Sequence, residues 1–391
     1  MISKVLPTVE ILDKNLKKIT EIKRFYPLSE SGTILKYSKE LSDFGFCSFR
    51  VETKDSLFTE VGDVLEPHKY HVRIKQGTTI VWSGLIVDNP SRNKNFVEIK
   101  AAEYEFYFSK ILVRRDPEIV LGDGKDNYKT FTSATMSQAV TAVVSDVRDD
   151  FGVNHPMNDL TIGTVENPDY PDGFSNEDGT PLTGPWIFSE FIQLQFDYHT
   201  AEYVLKAFGL YTNCDFQVTS DLVFNFKKFI GNKRTNVTFE YGTFGNVVDY
   251  DVPRLGSRVV NNYWGIAADD DGKILHVNQN DSVSQNNYGM LQEPLAFADV
   301  KNQNLLKTRV NEQLQFTKTP DSAPINLVLD EKAYPIGVYD IGDIVTVKIK
   351  DNVIDFNSPR RIVGITCNWH NTGRVLTTVQ TNKPRDKDLG N

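Results

Sequence analysis

Hydrophobic and polar residues alternate through much of the first hundred positions. From Phe46 to Thr53, Cys47, Phe49 and Val51 share one face while Ser48, Arg50 and Glu52 share the other. That period of two predicts a half-buried strand. Tyr70 to Lys75 alternates in the same way, and Thr79 to Val87 is β-branched and aromatic, as buried strands prefer. Lys75-Gln76-Gly77 between them reads as a hairpin turn, and Asn93-Lys94-Asn95 as a second turn before a strand from Phe96 to Ala101.

The period lengthens after Arg115. Met136, Val140, Val143, Val144 and Val147 have helical spacing, with Thr132 or Ser133 as the N-cap. A polar stretch follows from Asn154 to Pro185, containing Asn167-Pro168-Asp169-Tyr170-Pro171-Asp172-Gly173 and Asn176-Glu177-Asp178-Gly179. Its length predicts an exposed functional loop. A second helix starts near Thr200, carries Tyr203, Val204, Ala207 and Phe208, and stops at Gly209. Strands are expected over Asp215 to Thr219 and Leu222 to Phe226. From Asn236 the pattern returns to strands. It is broken by a helix from Asp299 to Gln315, with Leu306, Val310 and Leu314 on one face, which Thr319-Pro320 ends. Pro324 to Thr381 reads as strand throughout, and the tail from Lys383 to Asn391 as polar and frayed.

Two segments echo each other. Gly62-Asp63, Val72-Arg73-Ile74-Lys75 and Trp82-Ser83-Gly84-Leu85-Ile86 are matched by Gly342-Asp343, Val347-Lys348-Ile349-Lys350 and Ile362-Val363-Gly364-Ile365-Thr366. The separation of Gly62 from Gly84 equals that of Gly342 from Gly364. Another alternating strand follows each. Gly-Asp supplies a turn before a strand, and a glycine inside the later strand permits the bulge or corner that closes a small barrel. The fold class expected is mainly β (β-rich α+β), with two similar small antiparallel β-barrels flanking α/β insert segments. The division is a first barrel over 1–113, an α/β middle domain over 114–235 with the long loop 154–185, a second barrel over 236–383 with an inserted helix 299–315, and a polar tail over 384–391.

Composition narrows the function. Of 391 residues, 40% are hydrophobic and 24% charged, enough for a packed core. A net charge of -9 disfavours gripping phosphates or anionic lipid. The cysteines, Cys47, Cys214 and Cys367, are odd in number and far apart, so neither a disulfide framework nor a zinc knuckle is indicated. The first residues lack the apolar stretch of a signal peptide, and no run of 18 apolar residues occurs, so no membrane anchor is expected. The six histidines form no His-x-x-x-His pair, and Gly-x-Ser-x-Gly and the phosphate-binding Gly-x-x-x-x-Gly-Lys-Ser/Thr are absent. Asp269-Asp270-Asp271-Gly272 reads as a hairpin turn rather than a calcium loop, and neither Asp123 to Asn127 nor the Asp169/Asp172 loop has the acid that ends one. No catalytic residue, cofactor or metal ligand emerges. A paired-carboxylate glycosidase stays open, because spacing along the chain does not fix spacing in the fold. The four tryptophans read as core or interface anchors, and Trp186, at the exit of the long loop, as a possible contact for a sugar or a partner.

The succession Gly62-Asp63, Trp82-Ser83-Gly84 and Ala101-Ala102-Glu103-Tyr104 resembles the N-terminal barrel of phage tail hub proteins. Ala201 to Gly209, Cys214 to Val218, Val259-Val260-Asn261-Asn262 and Tyr339-Asp340-Ile341-Gly342-Asp343-Ile344-Val345 resemble the later parts of the same family, in order. The resemblance implies a non-enzymatic virion protein at the tail tip, made in the bacterial host cytoplasm. Such hubs are homotrimers whose six barrels seat a threefold tip on a sixfold tail tube. The implied partners are the tail tube or distal tail proteins above, tip or fibre proteins below, and the tape measure protein, with DNA only in transit. Two departures stand out: the chain ends soon after the second barrel, without the extension that digests cell wall or binds carbohydrate in relatives, and the loop 154–185 is long. The alternatives are a receptor- or carbohydrate-binding tail-tip module and a cell-wall hydrolase.

Overall fold

The computed structural model describes residues 7–60, 65–113, 128–131, 134–170, 180–188, 195–197, 199–242, 245–269, 271–298, 300–320, 324–330 and 336–384. Among the described residues, strands take up 44% and helices 21%, so the protein is mainly β.

The first hundred residues form a curled antiparallel sheet. Its strands run, side by side, Lys18–Glu21, Thr8–Leu12, His71–Gln76, Thr79–Asp88, Phe96–Ala102, Phe46–Glu52 and Thr33–Glu40. The three in the middle make a meander of neighbours in sequence, as the turns at Gly77 and Asn93 predict. Alternation holds in detail: Cys47, Phe49 and Val51 are buried, and Ser48, Arg50 and Glu52 are only partly covered.

The last part of the chain closes a six-stranded barrel. Lys233–Tyr241, Val247–Asp251, Ile325–Asp330, Val375–Asn382, Asp355–His370 and Ile344–Lys350 pair in that order, and the last pairs with the first. Four of these pairings are antiparallel; Lys233–Tyr241 runs parallel to both of its neighbours. The parallel start is fixed by polar groups. Asp343 accepts from Asn232 N at 2.6 Å and from Arg234 Nε at 2.8 Å, and Ile344 N donates to Asn232 O at 2.9 Å, so the two strands set out together.

One strand belongs to both sheets. The first half of Asp355–His370 pairs with Ile344–Lys350, and its second half pairs on that same edge with Thr33–Glu40, from Gly364 opposite Glu40 to His370 opposite Thr33. Ile362 and Ile365 enter the barrel core. Cys367 and Trp369, a few residues on, enter the core of the first sheet, joined there by Val375 and by Ile336.

The middle of the chain packs two helices, Met136–Asp150 and Ala201–Thr212, with a three-stranded sheet of Thr161–Val165, Val223–Lys227 and Asp215–Val218. Several local expectations shift here. The first helix is capped by Thr135, whose side chain exchanges hydrogen bonds with Gln138 as a capping box; Thr132 and Ser133 lie outside the described residues. The second runs past Gly209 to Thr212, because Asn213 takes the left-handed conformation (φ 52°) and ends it. The polar stretch 154–185 is not all loop: Thr161–Val165 is a strand parallel to Val223–Lys227, drawn in by Thr161 N donating to Leu222 O at 2.9 Å. The third helix is Gln303–Thr317, capped by Asn302, which accepts from Asn304 N at 2.8 Å. Its apolar face meets a three-stranded sheet, Asn262–Ala268, Ile274–Asn280 and Gln292–Ala296, made of the strands expected after Asn236 but separate from the barrel. Helix and sheet share the core of the two middle helices rather than that of the barrel.

Candidate functional site

The three sheets meet at a junction built of polar groups. Arg361 stands where the long strand passes from one neighbour to the next. Its Nη2 donates to Asp215 Oδ2 at 2.6 Å and to the Ile230 carbonyl at 2.9 Å, and its Nε to the Gly342 carbonyl at 3.2 Å. The ring of Phe229 lies 4.8 Å from its guanidinium carbon. Every lone pair and N–H used here is withdrawn from water, so the geometry must satisfy them internally.

Beside it lies a second group. Lys39, on Thr33–Glu40, reaches Asp340 Oδ1 at 2.5 Å. Glu103, just past Phe96–Ala102, accepts from Gly45 N at 2.8 Å, and Glu105 accepts from Val218 N at 2.6 Å. Burial pushes the Glu103 carboxyl well above the usual carboxylate range, helped by the charge of Glu105. Burial likewise raises Glu105, to about 7. Burial opposes the Lys39 charge, but the carboxylates of Asp340 and Glu103 outweigh it and hold the ammonium above its ordinary value. Glu103 and Asp215 entered the sequence reading only as members of runs that resemble the tail hub family, and Arg361, Lys39 and Glu105 not as site residues at all; a lone charge inside an alternating or helical run carries no local signal of its partner.

The residues singled out from the sequence fall as follows. Gly62 and Asp63 lie outside the described residues. Gly342 (φ +83°) and Gly231 (φ +109°) touch backbone to backbone, and a Cβ on Gly342 would lie 2.1 Å from the Ile230 carbonyl oxygen. Asp343 is 1% exposed and does more than turn the chain, since it also accepts from Asp340 N at 3.0 Å. A Cβ on Gly84 would lie 2.0 Å from the Ala102 carbonyl oxygen. Gly364 sits at the handover of the long strand, where a Cβ would meet the flexible Gln380 side chain at 3.3 Å and the Lys39 carbonyl oxygen at an ordinary 3.9 Å. Trp186 corrects an expectation. It is wholly buried among Tyr170, Phe188 and Tyr211, so it anchors the middle core and is not a surface contact for a sugar or partner. The neck of the long loop closes over it: Tyr170 N donates to the Gly184 carbonyl at 3.0 Å, and the Tyr170 hydroxyl bridges Ile187 N and O. The Asp269 turn is a hairpin in which Asp269 Oδ1 accepts from Asp271 N and Lys273 N. Among the described residues, no group of three or more His, Cys, Asp or Glu side chains is arranged to hold a metal ion.

No family model matches the sequence, and no curated protein matches it. Solved structures do. The 43 kDa tail protein of prophage MuSo2 from Shewanella oneidensis superposes with a TM-score of 0.61 at 13% identity, covering 96% of this chain and 98% of that one. A tail protein from Neisseria meningitidis MC58 gives 0.59 at 10%, covering 96% of each. The chain has the fold of prophage tail proteins. A third such protein, gp18 from Listeria monocytogenes EGD-e, gives 0.53 at 10%, covering 98% of this chain and 97% of that one. The match spans the middle domain as well as the sheets on either side of it. At these identities the likeness lies in the architecture, not in particular side chains.

Proposed function

We propose that the chain is a structural component of a phage-type tail, a homotrimeric hub at the distal tip that joins a sixfold tube to a threefold end. The observation that carries this reading is the end-to-end match to tail proteins, with nearly the whole of both chains superposed. The shared strand supports it. A hub subunit must hold two barrel-like units at a fixed angle so that three copies close a ring, and backbone pairing across Asp355–His370 and Thr33–Glu40 does so without a linker. On this reading the division is a first unit over 1–113, a middle domain over 114–235 and a second unit over 236–383, whose inserted sheet and helix over 262–317 pack on the middle core. Tail tube and distal tail proteins lie above, tip proteins below, and tape measure and DNA pass through the ring. The net charge of -9 suits a passage that must not hold phosphate. The binding-module alternative loses its aromatic anchor with Trp186 buried. The buried carboxylates of Glu103 and Glu105 are bonded to backbone N–H groups, which does not suit a hydrolase pair flanking a groove.

Solution mass tests the reading. Light scattering on the purified chain is expected to give three times 44.3 kDa, held by interfaces burying on the order of 2,000 Å². A monomer that stays monomeric when mixed with its tail tube protein would count against a hub.

A further inference from the structure

We propose that the carboxyl pair Glu103 and Glu105 is a proton-operated latch. It holds the strand Asp215–Val218 and the turn carrying Asp340 against the first sheet while Glu105 keeps its proton, and lets them loosen when Glu105 ionises. The inference rests on the geometry of the junction and does not depend on the tail reading.

The two glutamates stand at the end of Phe96–Ala102 and in the short 3-10 helix Tyr104–Lys110, and they reach in different directions. Glu103 holds the turn after Thr33–Glu40: its Oε2 accepts from Gly45 N at 2.8 Å, and its own N donates to the Gly45 carbonyl at 3.0 Å. That turn lies tight against its own strand: a Cβ on Gly45 would lie 1.9 Å from the Ser38 carbonyl oxygen, so no side chain fits there. Glu105 reaches the other way, to Val218 N, the last residue of the middle strand. Both are nearly wholly buried, at 8% and 6% exposure.

The charges facing the pair come from three elements. Lys39 lies on Thr33–Glu40, Asp43 in the turn after it, and Asp340 before the second barrel. Asp43 is already matched by Lys206 of the helix Ala201–Thr212, at 2.7 Å, which also holds Glu202 at 2.6 Å. Lys39 is therefore the cation left for the pair, and it is bonded to Asp340, whose side chain is half exposed. With both carboxyls protonated, the charges of Lys39 and Asp340 cancel. With Glu105 ionised the junction holds one excess negative charge, on a side chain that is itself withdrawn from water and faces Glu103. The direction of the raised carboxyls fits: a folded state that binds a proton more tightly than the unfolded chain loses stability as pH rises through the folded value. Against an ordinary carboxyl value of 4.5 in the opened chain, the loss begins near pH 4.5 and is complete by about pH 8, just past the value of about 7 for Glu105.

Hydrogen exchange on the intact protein, corrected for the intrinsic pH dependence, tests the latch. Peptides covering Asp215–Val218 and the turn at Gly45 are expected to lose about tenfold in protection between pH 6 and pH 8.5, while the barrel strand Ile344–Lys350 keeps its protection. Glu105→Gln, which can still accept from Val218 N, should retain the protection and remove the pH dependence. Three results would overturn the latch: protection that does not change with pH, the same loss in Glu105→Gln, or an equal loss in Ile344–Lys350, which would mark global unfolding.

Discussion

Arg361 and Asp215 meet at 2.6 Å across two different sheets, with side chains only 6% and 10% exposed. The pair joins the middle domain to the closed barrel, and it does so at the residue where the shared strand changes partners. A buried pair contributes little over an apolar substitute, yet breaking it leaves an uncompensated charge. Asp215→Ala is therefore expected to lower stability by about 3–5 kcal/mol in urea unfolding. The double variant Asp215→Leu with Arg361→Met should recover part of that, but not all, because the carbonyls of Ile230 and Gly342 lose their donor. An unchanged unfolding midpoint in Asp215→Ala would show that the barrel and middle domain are held by other contacts.

Trp369 makes the first sheet dependent on the second half of the chain. It sits on the barrel's long strand, opposite Leu35, and is wholly buried in the first core with Cys367, Val375 and Ile336. Trp369→Ala should cost about 3–5 kcal/mol, with both β units unfolding together. By the same reasoning a fragment of residues 1–113 lacks four core side chains and the strand that covers the edge of Thr33–Glu40. It is expected to show no sharp thermal transition by circular dichroism. A cooperatively folding fragment would mean that the first unit is autonomous.

These two contacts mark the border between what the sequence shows and what it hides. Alternation at Cys47, Phe49 and Val51, and helical spacing from Met136 to Val147, place strands and helices because burial imposes a local period. The meander of His71–Gln76, Thr79–Asp88 and Phe96–Ala102 follows from turns that join neighbours. The pairing of Asp355–His370 with Thr33–Glu40 joins strands some three hundred residues apart, and nothing in either strand names its partner. The parallel start of Lys233–Tyr241 depends on Asp343, which looks like an ordinary turn residue until Asn232 and Arg234 are beside it. Trp186 misled for the opposite reason: a polar stretch precedes it, so its surroundings in sequence look exposed, while Tyr170 and Tyr211 enclose it in space.

The glycines of the sequence echo should respond unequally. Gly342→Ala must place a side chain at φ +83° against the Ile230 carbonyl, and Gly84→Ala must push on the Ala102 carbonyl. Losses of about 1–3 kcal/mol are expected for Gly342→Ala, and a comparable or larger loss for Gly84→Ala. Gly364→Ala meets a flexible glutamine and no positive φ, so it should change stability by less than about 1 kcal/mol. Equal losses at all three in chemical denaturation would contradict this division.

His71 gives the protein an acid-sensitive side. It is wholly buried, its Nδ1 is bonded to the Tyr104 hydroxyl at 3.0 Å, and burial lowers its pKa to about 4, with the Arg73 charge acting the same way. The unfolded chain takes up a proton near pH 6.5 and the folded one only near pH 4, so the stability that neutral His71 contributes is complete above pH 6.5 and is lost as pH falls. At pH 5 the loss amounts to about 2 kcal/mol. His155, also lowered to about 4 by burial, adds to the same slope, whereas Glu105, raised from 4.5 to about 7, acts in the opposite direction between those two values. His71→Gln should therefore lose about 2 kcal/mol less than the natural chain on acidification from pH 7 to pH 5 in urea unfolding. A variant that loses stability on acidification as steeply as the natural chain would show that His71 is not among the groups that titrate on unfolding.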